Sequence, residues 1–229
     1  MLIKGLQKLT LLDFPGHLAC TVFTGGCNFR CPFCHNASLV LGDAVENYTE
    51  DDIFDFLRKR RGTIEGVAIT GGEPLLQKDI VEFISKVKEL GFKVKLDTNG
   101  SFPEKLGEII GRELADYVAV DIKNAPNKYA ETVGRMGYEC DRISESIELL
   151  MKSDVEYEFR TTVVAELHTA EDIEDIGRWI SGAEHWYLQN FVDSGDLICN
   201  NMHGLSSDIM NQYIEIARKY VPSAEIRGI

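Results

Sequence analysis

Six short runs rich in β-branched and aromatic residues, near 17–24, 64–70, 92–97, 116–122, 155–164 and 185–191, alternate with helix-patterned segments along the chain. Strict alternation of this kind points to a parallel sheet covered by helices, because each parallel pair needs a crossover long enough to carry a helix. The helix signals are local. Thr49 with Asp52 resembles a capping box ahead of Ile53, Phe56 and Leu57, and the basic run Arg58-Lys59-Arg60-Arg61 before Gly62 suits a helix C-terminus. Ile80, Phe83, Ile84, Val87 and Leu90 recur at the helical period, with Gly91 beyond the end. Pro103 opens a helix over 103–110, and Ile143, Ile147 and Leu150 line another. Thr169 with Asp172 caps one containing Ile173, Ile176 and Ile180, and Ser206 or Ser207 opens the last. No repeat, low-complexity tract or linker-like run divides the chain, so a single domain over 1–229 is expected.

Two parallel architectures remain, an open doubly wound sheet and a barrel. Polar, reactive residue types stand at the end of each of the six strand patterns: Thr24-Gly25-Gly26, Thr70-Gly71-Gly72-Glu73, Asp97-Thr98-Asn99, Asp121-Ile122-Lys123, Arg160-Thr161-Thr162 and Gln189-Asn190. An open sheet gathers its ligands at one switch point, whereas a barrel builds its site from all the strand C-termini. For any single strand these are ordinary polar loop starts; for all six the pattern favours a partial (β/α)6, TIM-like barrel.

Charge narrows the partners. Lys and Arg number 24 against 37 Asp and Glu, a formal net charge of −13. That disfavours a nucleic-acid backbone or an anionic membrane, both of which need clustered positive charge. No apolar run approaches the roughly 20 residues that cross a bilayer, and the first residues lack the order of a secretory signal. A cytoplasmic location is therefore expected, in which the six cysteines stay reduced. Residues 1–48 balance Lys4, Lys8 and Arg30 against Asp13, Asp43 and Glu46, so the whole net charge lies in 49–229. Lys123 and Arg160 are expected to keep positive charge for the mouth of the barrel.

Cys27, Cys31 and Cys34 form a C-x3-C-x2-C triplet in the loop 26–36. A structural zinc site needs a fourth ligand, which His35 or Cys20 would have to supply, and normally two separated pairs. Cys31-Pro32-Phe33-Cys34-His35 also matches a c-type haem attachment, which leaves Cys27 unexplained. An iron–sulfur cluster on a tight loop uses all three, and leaves one iron of a cubane open for chemistry.

With these residues the sequence resembles the radical S-adenosylmethionine (SAM) superfamily, whose members carry this triplet with an aromatic before the last cysteine, here Phe33. Gly71-Gly72-Glu73-Pro74 ends the second strand, where that family's GGE segment binds the SAM amino group. Within the superfamily, Leu11-Leu12-Asp13-Phe14-Pro15-Gly16 and Thr21-Val22-Phe23-Thr24-Gly25-Gly26-Cys27 resemble the glycyl-radical-enzyme activating proteins, closest to those for anaerobic ribonucleoside-triphosphate reductase. Asp97-Thr98-Asn99-Gly100 and Asp121-Ile122-Lys123 match further segments of that group. No cysteine-rich insertion separates Cys34 from Gly71, so one cluster is expected.

The resemblance implies a 4Fe–4S cluster on Cys27, Cys31 and Cys34, with the open iron chelating the ammonium and carboxylate of SAM. Glu73 beside Gly71 and Gly72 would contact the ammonium, Asn99 the ribose or carboxylate, Lys123 and Arg160 the carboxylate or ribose, and Phe33 the adenine. Gln189, at the end of the last strand, completes the cofactor-binding set. Asp97, Asp121 and Thr98 offer hard oxygens to a cation, or the two aspartates cap helices or pair with Lys123. The implied reaction is reductive cleavage of SAM and installation of a glycyl radical on a partner enzyme, fed by a low-potential donor such as flavodoxin or ferredoxin. The alternatives are a small-molecule enzyme of the 7-carboxy-7-deazaguanine synthase type and a simple electron carrier. Outside the triplet, Cys20 reads as core packing, Cys140 as a loop or helix-edge thiol, and Cys199 as a loop thiol near the mouth. His35, beside the cluster loop, is a candidate for a tuning hydrogen bond.

Overall fold

Among the described residues, eight strands follow one another across a single sheet in chain order: β1 (Ile3–Thr10), β2 (Ala19–Thr24), β3 (Gly66–Gly71), β4 (Lys93–Thr98), β5 (Tyr117–Asp121), β6 (Glu156–Val163), β7 (Trp186–Asn190) and β8 (Glu225–Arg227). This computed structural model describes residues 1–42 and 47–227. β1 pairs antiparallel with β2, and every later pair is parallel. The sheet ends at β1 on one side and β8 on the other, which makes a curled, incompletely closed barrel.

The six expected strands are β2–β7, and two more flank them. β1 carries Gly5, Lys4 and Lys8 and is exposed along Gln7–Leu9, so it has the composition of an edge rather than of a buried strand. β8 has three residues, too few for any period. The helices are α1 (Ala37–Leu41), α2 (Glu50–Arg60), α3 (Ile80–Glu89), α4 (Pro103–Gly111), α5 (Tyr129–Thr132), α6 (Asp141–Met151), α7 (Ala170–Trp179) and α8 (Ser207–Ala217). Both capping boxes form: Thr49 and Thr169 each accept from the backbone N–H three residues on, while Asp52 and Asp172 reach back. Ser206, not Ser207, is the N-cap of α8. No helix among the described residues is long and apolar enough to cross a membrane.

Strand alternation separates two environments. Val67, Ile69, Val94, Leu96, Val118, Val120, Phe159, Trp186 and Leu188 turn outward, are fully buried, and pack with the apolar faces of the helices in one core. The alternate positions carry charge into the barrel. Lys95 pairs with Asp97. Arg160 Nε donates to Asp121 at 2.9 Å, and its Nη1 reaches Asp97 at 3.3 Å. Lys123 Nζ donates to Asp121 at 2.9 Å. Deeper in, Glu158 is 1 % exposed and accepts from both terminal nitrogens of Arg227 and from the Tyr117 hydroxyl. This tie explains how so short a strand as β8 is held. At the opposite end of the strands from the cluster loop, the turn after β1 tucks Phe14 against Gly66, where a Cβ would fall 2.7 Å from the ring, and Asp13 accepts from Thr21 Oγ1 at 2.5 Å.

Breaking a buried ion pair from one side strands its partner. Glu158→Gln keeps the shape of the side chain but leaves Arg227 and Arg160 short of charge. Urea unfolding followed by the fluorescence of buried Trp186 is expected to show a loss of about 3 kcal/mol, with Arg227→Gln losing at least as much because it strands the fully buried Glu158 carboxylate.

Candidate active site

The loop 26–36 is held at the top of the barrel by backbone contacts that only glycine permits. Gly72 donates to the Thr24 carbonyl and Glu73 N–H to the Gly26 carbonyl, each at 2.9 Å. A Cβ on Gly72 would stand 1.9 Å from the Gly26 oxygen, and one on Gly71, whose φ is +114°, would stand 2.4 Å from the Thr24 oxygen. Further ties come from four sides. Asn36 Nδ2 donates to the Gly71 carbonyl, Arg30 N–H to the Val133 carbonyl, Cys199 N–H to the Pro32 carbonyl, and Ser38 Oγ to Asp196 Oδ2. Arg30 folds its guanidinium back onto the Cys27 and Phe29 carbonyls.

Below the loop lies a cavity of about 400 Å³, in the range that encloses one drug-sized ligand. It brings together Cys27, Cys31, Cys34, Phe33, Gly71, Gly72, Asp97, Asn99, Asp121, Lys123, Arg160 and Gln189. Of the expected site residues only Glu73 does not line it. Glu73 is fully buried; its Oε1 accepts from Leu75 N–H and Thr98 Oγ1, its Oε2 from Asn99 N–H. Within the chain the carboxylate ties the β3 turn to the end of β4. Burial pushes Glu73 up to about 7 against the pull of those three donors.

Asn99 is likewise held by the chain. Its Oδ1 accepts from Ser101 N–H and Oγ, and its Nδ2 faces Asn28 Oδ1 at 2.9 Å and Cys27 Sγ at 3.8 Å. Both functional groups of the amide are thus engaged within the chain. Phe33 is buried, with its ring edge-on to His168 at 6.5 Å. His168 ties the strand ends together, with Nδ1 facing Val164 N–H and Nε2 facing the Lys123 carbonyl. Asp13, His168, Asn28 and Ser101 are site-forming residues that the sequence pattern does not single out. His35 lines the cavity with its ring 5.2 Å from that of Phe191. Cys20 is buried in the core, Cys140 is the N-cap of α6, and Cys199 lies outside the cavity lining.

The charges of the barrel interior answer one another. Asp97, Asp121 and Glu158 pair with Lys95, Lys123, Arg160 and Arg227, and Asp13 accepts from Thr21, so Lys123 and Arg160 are partners of carboxylates rather than a surplus of positive charge at the mouth. Burial works against ionisation of Asp121, but Arg160 and Lys123 hold its carboxyl well below the usual range. Asp97 meets Lys95 and Arg160, and Thr98 gives its hydroxyl to Glu73, so these oxygens contact the chain's own groups.

The three thiols suit iron. Burial pushes Cys27 up to about 11 and Cys31 up to about 12, while Lys123 pulls both down. Metal must therefore displace protons, as thiolate ligation requires. Among the described residues no three His, Cys, Asp or Glu side chains converge as one metal ion needs. A cubane takes one thiolate per iron, so three thiols of one loop that line the same cavity fit a cluster.

Residues 21–180 match the family model of the Radical SAM superfamily. A candidate glycyl-radical enzyme activating enzyme of Methanocaldococcus jannaschii is 36% identical over all of this chain and 96% of its own length. The pyruvate formate-lyase-activating enzyme of Listeria monocytogenes is 33% identical over 56% of this chain and 55% of its own. Among solved structures, Streptococcus suis SuiB bound to its precursor peptide SuiA superposes with a TM-score of 0.72 at 15% identity, covering 91% of this chain and 48% of that one. A radical SAM methyltransferase from Sphaerobacter thermophilus gives 0.70 at 16%, covering 96% and 68%. At those identities the superpositions show a shared fold.

Two outcomes follow from the loop geometry. Gly72→Ala is expected to displace the loop and cut iron bound after reconstitution at least severalfold, measured per folded chain. The raised Glu73 gives a pH signature. The fold binds its proton more tightly than the unfolded chain does, so this contribution is full below 4.5 and lost as pH rises through about 7. It amounts to about 3 kcal/mol. Unfolding of the cluster-free protein should lose stability between pH 5 and pH 8 with that slope, and Glu73→Gln should flatten it.

Proposed function

Because the chain belongs to the radical SAM superfamily, we propose that it is an activase that cleaves SAM reductively and installs a glycyl radical on a partner enzyme. One observation carries the reading: three thiols of one loop share a ligand-sized cavity with the bare Gly71–Gly72 backbone and the Lys123 and Arg160 cations. The full-length similarity to the M. jannaschii protein supports a protein substrate. The finer assignment, to anaerobic ribonucleoside-triphosphate reductase as partner, rests on the Leu11–Gly16 and Thr21–Cys27 segments. A flavodoxin or ferredoxin in the cytoplasm is the proposed electron source.

A 4Fe–4S cluster held by Cys27, Cys31 and Cys34 supplies, when reduced, the electron that splits SAM into methionine and a 5′-deoxyadenosyl radical, which takes a hydrogen atom from a glycine. The chain orients and encloses. With Glu73 engaged elsewhere, the SAM ammonium falls to the side-chain-free edge of Gly71 and Gly72. Lys123, whose ammonium carries hydrogens beyond the one given to Asp121, is the donor for the SAM carboxylate. Asp121 and Asp97 hold Lys123 and Arg160 in place; they enter as counter-ions rather than as ligands of an added cation. Phe33 offers an apolar surface for the adenine, backed by His168.

The test is an anaerobic mixture of reduced protein, SAM and partner, read by electron paramagnetic resonance. A glycyl doublet on the reductase is the expected result. A doublet on pyruvate formate-lyase alone reassigns the partner, and SAM cleavage with no doublet on any glycyl-radical enzyme overturns the activase reading. Cys27→Ala, Cys31→Ala and Cys34→Ala should each abolish SAM cleavage under dithionite.

A further inference from the structure

Three polar side chains beside the cluster loop form a closed ring whose direction is fixed. Ser101 N–H, which can only donate, meets Asn99 Oδ1 at 3.0 Å. Asn99 Nδ2 must therefore be the donor on the other side, and it reaches Asn28 Oδ1 at 2.9 Å. Asn28 Nδ2 in turn donates to Ser101 Oγ at 2.9 Å, and Ser101 Oγ donates back to Asn99 Oδ1 at 2.5 Å. One hydrogen of Asn99 Nδ2 is consumed in the ring. The other faces Cys27 Sγ at 3.8 Å, while Phe29 N–H approaches the same sulfur at 3.4 Å. Asn99 and Ser101 are buried, 6 % and 3 % exposed, so water does not compete strongly for these bonds.

We propose that Asn99 is a positioning residue for the Cys27 thiolate, aimed by the Asn28–Ser101 ring, and that its N–H raises the reduction potential of the cluster. The inference rests on the cluster reading of the loop and adds a role for residues outside the thiolate set. A donor dipole aimed at a thiolate stabilises negative charge on sulfur, and more so after an electron is added. A ring in which each member is both donor and acceptor also polarises its bonds and holds the amide against rotation. Asn99 thereby couples the end of β4 to one iron ligand, and Glu73, which accepts from Asn99 N–H, fixes the backbone from which the amide extends.

The experiment is a potentiometric titration of the reconstituted protein without SAM or partner, read by electron paramagnetic resonance, with iron and sulfide measured per chain. Asn99→Asp keeps the acceptor for Ser101, replaces the donor to Cys27 with an acceptor and adds a negative charge there, whereas Ser101→Ala changes the aim of the donor with no change of charge. It is expected to make the cluster about tenfold harder to reduce, a shift of about 59 mV to more negative potential for a one-electron couple. Ser101→Ala leaves Asn99 but opens the ring, and is expected to shift the midpoint the same way by less. Wild-type midpoints in both variants overturn the proposal, as does a wild-type midpoint in Asn99→Asp with only SAM affinity lost, which would return Asn99 to a substrate contact. Should Asn99→Asp not load iron, Ser101→Ala decides alone. A wild-type chain that binds no cluster defeats the underlying reading, whereas one that cleaves SAM with potentials unmoved defeats only this inference.

Discussion

A barrel lined with charge holds together only when each charge is met, and this interior is built on that condition. Arg160 lies between Asp97 and Asp121, Glu158 between Arg227 and Tyr117, and Lys123 beside Asp121. Burying isolated ions costs several kcal/mol each, so these pairs are not a stability gain over an apolar filling. An apolar filling would leave no cavity. The ion network keeps the inner surface polar and open while the outward faces of the same strands supply the core.

The second constraint is the contact between the cluster loop and the β3 turn. Gly72 sits where no side chain fits, and Glu73 follows it directly into the interior. The turn thus does two things at once. Its backbone approaches the loop and its carboxylate gathers Thr98 and Asn99 at the end of β4. Through Asn99 the same linkage runs to Asn28 and Cys27. Loop, turn and strand end are registered by a handful of hydrogen bonds within the chain.

Local signals were legible in the sequence and through-space ones were not. β2–β7 and the capping boxes of α2 and α7 follow from periods and spacings of a few residues. The cysteine triplet is legible for the same reason. β8 and the four- and five-residue helices α5 and α1 are too short to carry a period, and β1 has an edge composition. Glu73 and Asn99 were marked by residue type and place, but their partners come from another strand and another loop, which spacing does not encode. Arg160 looks like a spare cation in sequence because Asp97 and Asp121 belong to other strands, whereas the pairing of Lys123 with Asp121, two residues away, was already among the readings that the sequence offers. Asp13 reaches the cavity only because its turn folds back beneath β2.

The pairing inside the barrel also changes the meaning of the net charge of −13. Asp97, Asp121 and Glu158 are answered by Lys95, Lys123, Arg160 and Arg227, while Asp13 and Glu73 are held by uncharged donors, so the interior carries little net charge and most of the excess acid lies on the outer surface. On the proposed function this balance matters. An oxidised cubane with three thiolates carries one net negative charge, and SAM, with its ammonium, sulfonium and carboxylate, carries one net positive charge. The two cancel when they meet, so a cavity of small net charge accepts them together at lower electrostatic cost than either alone. A strongly cationic mouth would favour the cluster and oppose SAM. The carboxylates of Asp97 and Asp121 prevent that, which gives them a function while every contact they make is with the chain's own cations.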